Sequence, residues 1–187
     1  VDRDLKVASF LGCDISDVIF PLAFKDVELP FPRYAVLVPG ARWDTKRWPP
    51  ERFGELASLL SINSVVIGGK GDEAIASKVL SHSKGKAVSL AGKTGLNELA
   101  GIIRGAEFVV SNDSGPMHIA AALDVPVYAI FGPTSPVLTG PYGSVHRVIK
   151  ADIGCAPCFK RKCSNIRCLE SVTVREVYGA IKEKTAA

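Results

Sequence analysis

Apolar positions along the chain alternate between two periods. Short β-prone runs occur at Tyr34–Val38, Ser64–Ile67, Ala87–Leu90, Glu107–Val110 and Val127–Phe131, with a weaker one at His146–Ile149. Between them, Phe53, Leu56, Ala57 and Leu60 repeat at helical spacing, as do Leu96, Leu99, Ala100 and Ile103. Ala74 to Leu80 predicts a further helix, and Val174, Val177, Tyr178 and Ile181 predict a closing one. Ser114 to Leu123 is apolar almost all round, so a buried helix is expected there. The segment up to about Leu11 suits a short helix. Pro21, Pro30 and Pro32 then make residues 21–33 an extended connector.

Strands alternating with helices imply βαβ units, a parallel sheet and right-handed crossovers. The runs are continuously apolar, as strands covered on both faces should be. The expected fold is α/β, a Rossmann-like doubly wound parallel sheet over residues 34–150. Ligands of such sheets bind beyond the carboxyl ends of the strands. Attention therefore falls on loops 39–48, 68–73, 91–95, 111–118 and 132–143.

Composition narrows the class without naming it. The 187 residues suffice for one sizeable core, and 47% apolar with 22% charged is ordinary for a globular domain. No run approaches the roughly 18 apolar residues of a membrane span. The amino terminus lacks a basic region followed by an apolar one, so no signal peptide is expected, and the missing Met suggests an excised fragment. A net charge of +4 does not call for nucleic acid. Arg147, Lys150, Lys160, Arg161, Lys162 and Arg167 cluster in sequence with Asp152 as their acidic neighbour, which reads as a solvated surface or as a patch facing an anion.

Several motifs carry chemistry. Gly69-Lys70-Gly71-Asp72 loosely fits a dinucleotide-binding turn, but it follows the second strand, and no acid follows the next strand to hold a ribose. Gly92-Lys93-Thr94 resembles the end of a P-loop whose upstream glycine position is Ala87, so it is no NTPase signal. Ser111-Asn112-Asp113-Ser114-Gly115-Pro116-Met117-His118 joins a buried strand to a buried helix. Asp113 or Ser114 can cap that helix, and its start offers an anion site. Pro39 to Pro49 brings Arg42, Lys46 and Arg47 towards the same crevice, where they can neutralise a diphosphate. Phe131-Gly-Pro-Thr134 with Thr139-Gly-Pro-Tyr142-Gly143 is a stiff loop at the end of the fifth strand. Cys155-x2-Cys158-x4-Cys163-x4-Cys168 leaves reduced thiols, disulfides or a metal site open, although its spacing is not that of paired zinc modules. Cys13 stands apart, in core or at surface.

Taken together, the Pro-Gly-Ala-Arg-Trp…Lys46-Arg-Trp-Pro, Asn112-Asp-Ser-Gly-Pro-Met-His118, Phe131-Gly-Pro-Thr…Gly-Pro-Tyr-Gly143 and Cys155-x-Pro-Cys segments resemble glycosyltransferase family 9, the ADP-heptose:lipopolysaccharide heptosyltransferases. The resemblance implies the C-terminal half of a GT-B fold, with residues 1–33 a short helix and linker from a missing N-terminal domain and 34–187 the nucleotide-sugar-binding domain. It implies donor contacts from Lys46 to the phosphates, Asp113 to sugar hydroxyls, Ser114, Gly115 and His118 around the diphosphate, and Thr94 beside the adenosine. Ala41, Arg42 and Lys70 are further donor-loop candidates; some members carry hydroxyl residues where this chain has Ala41 and Arg42. The implied reaction is inverting, metal-independent transfer of heptose from ADP-heptose to the lipopolysaccharide inner core. No cofactor is expected, and the general base is expected in the missing half. The implied setting is bacterial and cytoplasmic, with peripheral association at the inner membrane left open. A Rossmann-like nucleotide-binding module, or half of a nucleotide-sugar epimerase, is the alternative.

Overall fold

The computed structural model describes residues 1–185, so the last two residues of the expected 34–187 domain lie outside the described residues. After α1 (Asp2–Phe10) and a long connector, the chain alternates strand and helix: β1 (Tyr34–Val38), α2 (Pro50–Leu59), β2 (Asn63–Val66), α3 (Glu73–His82), β3 (Ala87–Ser89), α4 (Leu96–Arg104), β4 (Phe108–Asn112), α5 (Gly115–Ala122) and β5 (Val127–Phe131). It continues with α6 (Pro136–Thr139), β6 (Arg147–Lys150), α7 (Arg167–Glu170) and α8 (Val174–Thr185). The strands form one sheet in the order β3-β2-β1-β4-β5-β6, every pair parallel. This is the Rossmann order. The chain leaves β1 towards one edge and returns to β4 on its other side, so a crevice opens between the carboxyl ends of β1 and β4.

Period-two alternation within each strand sends side chains into two cores. Ala35 and Leu37 join Trp48, Phe53, Leu56, Val79, Leu169, Val177 and Ile181 on the face covered by α2, α3, α7 and α8. Tyr34, Val36 and Val38 join Ile102, Ile103, Met117 and Ala120 on the face covered by α4 and α5. β1, β4 and β5 are buried throughout, as their unbroken apolar runs predict. β6 is the exception: its residues are mostly exposed, because it is a sheet edge, and Arg147 there pairs with Glu183 of α8. Thr173 starts α8 with a reciprocal cap, its Oγ1 accepting from the Glu176 N–H at 3.2 Å while Glu176 Oε2 accepts the Thr173 N–H at 2.6 Å.

The connector does more than span. Val27, Leu29 and Phe31 pack against the α4/α5 core, the Lys25 N–H donates to Asn97 O at 2.9 Å, and Lys25 pairs with Glu98 at 2.9 Å. Gly101 makes this docking possible: a Cβ there would stand 2.0 Å from the carbonyl oxygen of Lys25. α6 and α7 have no counterpart in the sequence reading, since each is a single turn too short to show a period.

Candidate functional site

The crevice at the switch point is built by three loops. After β1, residues 39–49 turn through a 3-10 segment, Asp44–Lys46, and are held from below by Trp48. Trp48 is fully buried, its ring edge-on to Phe53 and its Nε1–H donating to Val172 O at 2.8 Å. The loop is fixed to the neighbouring strand by Asn112, the last residue of β4. Its Oδ1 accepts the Trp48 N–H at 3.0 Å and its Nδ2 donates to Pro39 O at 2.7 Å. A fully buried amide thus clasps both ends of the β1 loop. The sequence reading placed Asn112 in the motif without this role; only the strand order brings it beside Pro39.

One residue further, Asp113 meets Lys46 across the crevice, with Nζ 2.7 Å from Oδ2. The same oxygen accepts the Thr134 hydroxyl at 2.7 Å and that of Thr139 at 3.4 Å. The carboxylate is 5% exposed and the lysine side chain 16%. The lysine ammonium also sits 4.7 Å from the centre of the Trp43 ring. Lys46 and Asp113, expected on different parts of a ligand, are therefore each other's partner, and Thr134 and Thr139 of the stiff β5 loop complete the cluster.

A cavity of about 480 Å³ opens alongside. Val38, Gly40, Ala41 and Arg42 line it from β1, Gly68, Gly69 and Asp72 from β2, Thr94, Gly95, Leu96 and Leu99 from β3 and α4, and Ser114 and Pro116 from α5. Asp72 organises its floor. The carboxylate accepts the Gly69 N–H at 2.9 Å, and a Cβ at Gly40 or Gly68 would stand 2.6 or 2.8 Å from its side chain. The glycines of the Gly68-Gly69 turn thus admit an acid, which the dinucleotide reading did not foresee. Thr94 Oγ1 is buried with no hydrogen-bond partner among the described residues.

Of the expected donor residues, Ala41, Arg42, Thr94 and Ser114 line this cavity. Lys46 and Asp113 form the adjoining pair. Gly115 and His118 lie on the first turn of α5, where a Cβ at Gly115 would meet nothing within 4 Å, so the helix start is open. Lys70 begins a 3-10 turn and is exposed, outside the cavity lining. Ser114 occupies the cap position of α5, but neither it nor Asp113 caps the helix through a side chain: Ser114 Oγ faces Ser111 Oγ at 3.3 Å, and Asp113 is committed to Lys46 and the threonines. His118 is exposed rather than packed in the core. Partial desolvation of its ring nonetheless holds its pKa below the ordinary value, the Asp113 charge opposing and the Lys46 charge reinforcing that shift.

The cysteine-bearing segment lies against the β1 and β5 loops. Its backbone is pinned to both other loops: the Thr45 hydroxyl donates to Lys160 O at 2.9 Å, and the Cys158 and Phe159 N–H groups donate to Pro133 O at 3.0 and 2.8 Å. Among the described residues the thiols form no disulfide, and no three His, Cys, Asp or Glu side chains are grouped as metal ligands. Cys155, Cys158 and Cys163 are exposed, Cys168 is half-buried, and burial foremost raises its pKa. Cys13 is at the surface. No helix among the described residues is long and apolar enough to cross a membrane.

A Rossmann sheet whose β1/β4 crevice gathers a glycine-lined cavity, a lysine–aspartate pair and an open helix start is the architecture of a nucleotide-ligand-binding α/β domain. Comparison with known proteins makes the class specific. The model of glycosyltransferase family 9 (heptosyltransferase) matches residues 21–168, more than half of the chain, and the chain belongs to that family. It is 35% identical over 139 residues to lipopolysaccharide heptosyltransferase 1 of Pseudomonas aeruginosa, covering 70% of this chain and 38% of that protein. It is 39% identical over 122 residues to lipooligosaccharide heptosyltransferase 2 of Haemophilus ducreyi, covering 60% of this chain and 35% of that protein. Among solved structures, Escherichia coli heptosyltransferase WaaC with ADP superposes with a TM-score of 0.71 at 28% identity, covering 94% of this chain and 53% of that one. E. coli ADP-heptose lipopolysaccharide heptosyltransferase II superposes with a TM-score of 0.71 over 100% of this chain and 53% of that one; at 23% identity it attests the fold. The chain thus spans about half the length of the solved relatives and corresponds to one Rossmann-like half of a GT-B fold.

Proposed function

We propose that this chain is the donor-binding half of an inverting heptosyltransferase that takes ADP-heptose and delivers the heptose to the lipopolysaccharide inner core. The observation that carries the reading is the placement of the cavity: it lies at the sheet's switch point, beside the Lys46–Asp113 pair and the start of α5, in a chain of family 9. In this reading the adenosine takes the cavity lined by Gly40, Gly68, Thr94 and Leu99, with the diphosphate directed past Ser114 towards Lys46; the lining and the neighbouring pair support it. With Oδ2 of Asp113 engaged by Lys46 and Thr134, its other oxygen is the acceptor offered to sugar hydroxyls in this reading.

In the transfer step an acceptor hydroxyl oxygen bonds to the anomeric carbon as the bond from that carbon to the phosphate oxygen breaks. ADP leaves with the electron pair, and the hydroxyl proton passes to a base on the half that this chain does not contain. The residues here bind and orient the donor and offset the negative charge that grows on the leaving diphosphate. Helix dipole and preorganised cations do this best where water is excluded. The acceptor, the partner half and a cytoplasmic setting at the inner face of the membrane belong to this proposal. The isolated chain is expected to bind donor without turnover.

A thermal-shift panel of ADP-heptose, ADP, UDP- and GDP-sugars and NAD tests the reading. Preferential stabilisation by the ADP ligands is expected. Preference for NAD would favour a dehydrogenase or epimerase-like module, and no response to any ADP ligand would remove the donor site.

A further inference from the structure

The donor site has a charge deficit. Lys46, the cation nearest the expected diphosphate, is matched at 2.7 Å by Asp113, so the pair carries no net charge. Arg47 is committed as well: its guanidinium donates to Ala41 O at 2.9 Å and pairs with Asp44. A diphosphate diester is a dianion and becomes more negative as the sugar leaves. Arg42 lines the cavity and has no carboxylate partner within ion-pair distance among the described residues, so it can meet one of the two charges. With Lys46 and Arg47 engaged, a dianion calls for a second free cation beside Lys46.

The cysteine-bearing segment, bonded to the β1 and β5 loops, carries unmatched cations. Between Ile153 and Leu169 the sequence holds Lys160, Arg161, Lys162 and Arg167 and no acid. None of the four has a carboxylate partner within ion-pair distance among the described residues. Arg161 stands out by position. Its guanidinium lies 4.9 Å from the centre of the Trp43 ring, the same ring that Lys46 Nζ approaches to 4.7 Å. The two cations thus share one indole as a neighbour, which brings Arg161 to the Lys46 side of the site. Stacking on an aromatic face holds a guanidinium in place while leaving its in-plane N–H donors free for an anion. The arrangement is anchored, because Lys160 O accepts the Thr45 hydroxyl and the adjoining Cys158 and Phe159 amides are bonded to Pro133.

We propose that Arg161, presented on the Trp43 ring by the cysteine-bearing loop, is a phosphate-binding residue of the donor site and takes the distal phosphate of a nucleoside diphosphate. The proposal rests on the donor-site reading above and assigns a defined ligand contact to one residue of the basic cluster that the sequence reads as a solvated surface or as a patch facing an anion. It also gives the cysteine loop a purpose in binding: the loop delivers the charge that Asp113 cancels on Lys46.

Titration calorimetry of ADP and AMP at low and moderate salt, on the wild-type chain and on Arg161→Ala and Arg161→Lys, tests it. Arg161→Ala should weaken ADP roughly tenfold, the loss of a charge-assisted hydrogen bond. It should change AMP, which lacks the distal phosphate, by less than about twofold, and flatten the salt dependence of ADP binding. Arg161→Lys, which keeps the charge but not the planar stacked fork, should recover only part of the affinity. Unchanged ADP affinity in Arg161→Ala would overturn the proposal. Equal losses of ADP and AMP would overturn it too, since they would mark Arg161 as packing for Trp43. If the wild-type chain binds neither nucleotide, the donor-site reading itself fails, which is distinguishable because no variant is needed to see it.

Discussion

Lys46 Nζ and Asp113 Oδ2 stand 2.7 Å apart, joining the loops that leave β1 and β4, the two strands on either side of the sheet's switch point. Both groups are largely out of solvent, and Thr134 adds a second donor to the same oxygen. The pair is a structural tie across the crevice and, in the proposed function, also the centre of the donor site.

These two roles separate by mutation. Lys46→Ala leaves a buried carboxylate without its cation and should cost about 2–4 kcal/mol of stability. Lys46→Met combined with Asp113→Asn removes both charges and should recover most of that loss in urea denaturation. It should not recover ADP-heptose binding. Recovery of binding with stability would show that the charges serve the fold alone.

Asn112 is the second tie. Both ends of its amide are used, on the Trp48 N–H and on Pro39 O, and the residue is fully buried. Asn112→Ala strands a buried donor and a buried acceptor, so a loss of about 2–4 kcal/mol is expected, with weaker ADP binding as the β1 loop loosens. Chemical denaturation and calorimetry on the same variant check both. A stability change under about 0.5 kcal/mol, the size of an ordinary surface substitution, would contradict the clasp.

The sheet is legible in the sequence because a strand buried on both faces has an unmistakable apolar run, and the runs at Tyr34–Val38 and Val127–Phe131 coincide with β1 and β5. The residues of the site were legible as types: Lys46, Thr94, Asp113 and Ser114 all fall at the crevice. Their pairings were not. That Asp113 cancels Lys46, that Asn112 reaches Pro39 and that Asp72 lies against Gly40 depend on β1 standing between β2 and β4, a fact of strand order that no local period records. The cysteine loop shows in the sequence as a run of thiols and as a basic cluster suited to a solvated surface or to an anion, whereas its ties to the neighbouring loops, through the Cys158 and Phe159 amides and the Trp43 ring, depend on the tertiary fold.

Gly101 offers a test of sign. Alanine in place of glycine inside a helix ordinarily stabilises by about 0.5–1 kcal/mol. Here the new Cβ would stand 2.0 Å from Lys25 O. Gly101→Ala should therefore destabilise, by about 1–3 kcal/mol, or free the connector from α4. Thermal unfolding with limited proteolysis in residues 11–33 reads both effects. A more stable Gly101→Ala chain with an unchanged cleavage pattern would show that the connector does not dock as described.

His118 supplies a pH dependence. Its pKa is lowered, chiefly by desolvation, from the ordinary 6.5. The unfolded chain therefore binds the proton more readily than the folded one. Stability linked to this ring is complete above the ordinary histidine range, falls as pH drops through 6.5, and levels off below the lowered folded value. Denaturation of the wild type and His118→Gln across this window should show a pH-dependent component that the variant lacks. Binding of ADP, an anion, should raise the His118 pKa, visible in NMR titration of the ring. A pKa that ADP leaves unmoved would place the phosphates away from the α5 start.

The central claim is that the β1/β4 crevice holds the nucleotide, and an amide chemical-shift titration of the chain with ADP tests it most directly. The account predicts that the largest changes fall at Gly40–Arg42, Gly68, Gly69, Asp72, Thr94–Leu96 and Ser114, which line the 480 Å³ cavity. Changes centred instead on the second cavity, beside Tyr128, Arg147 and Glu183 at the far edge of the sheet, would contradict it.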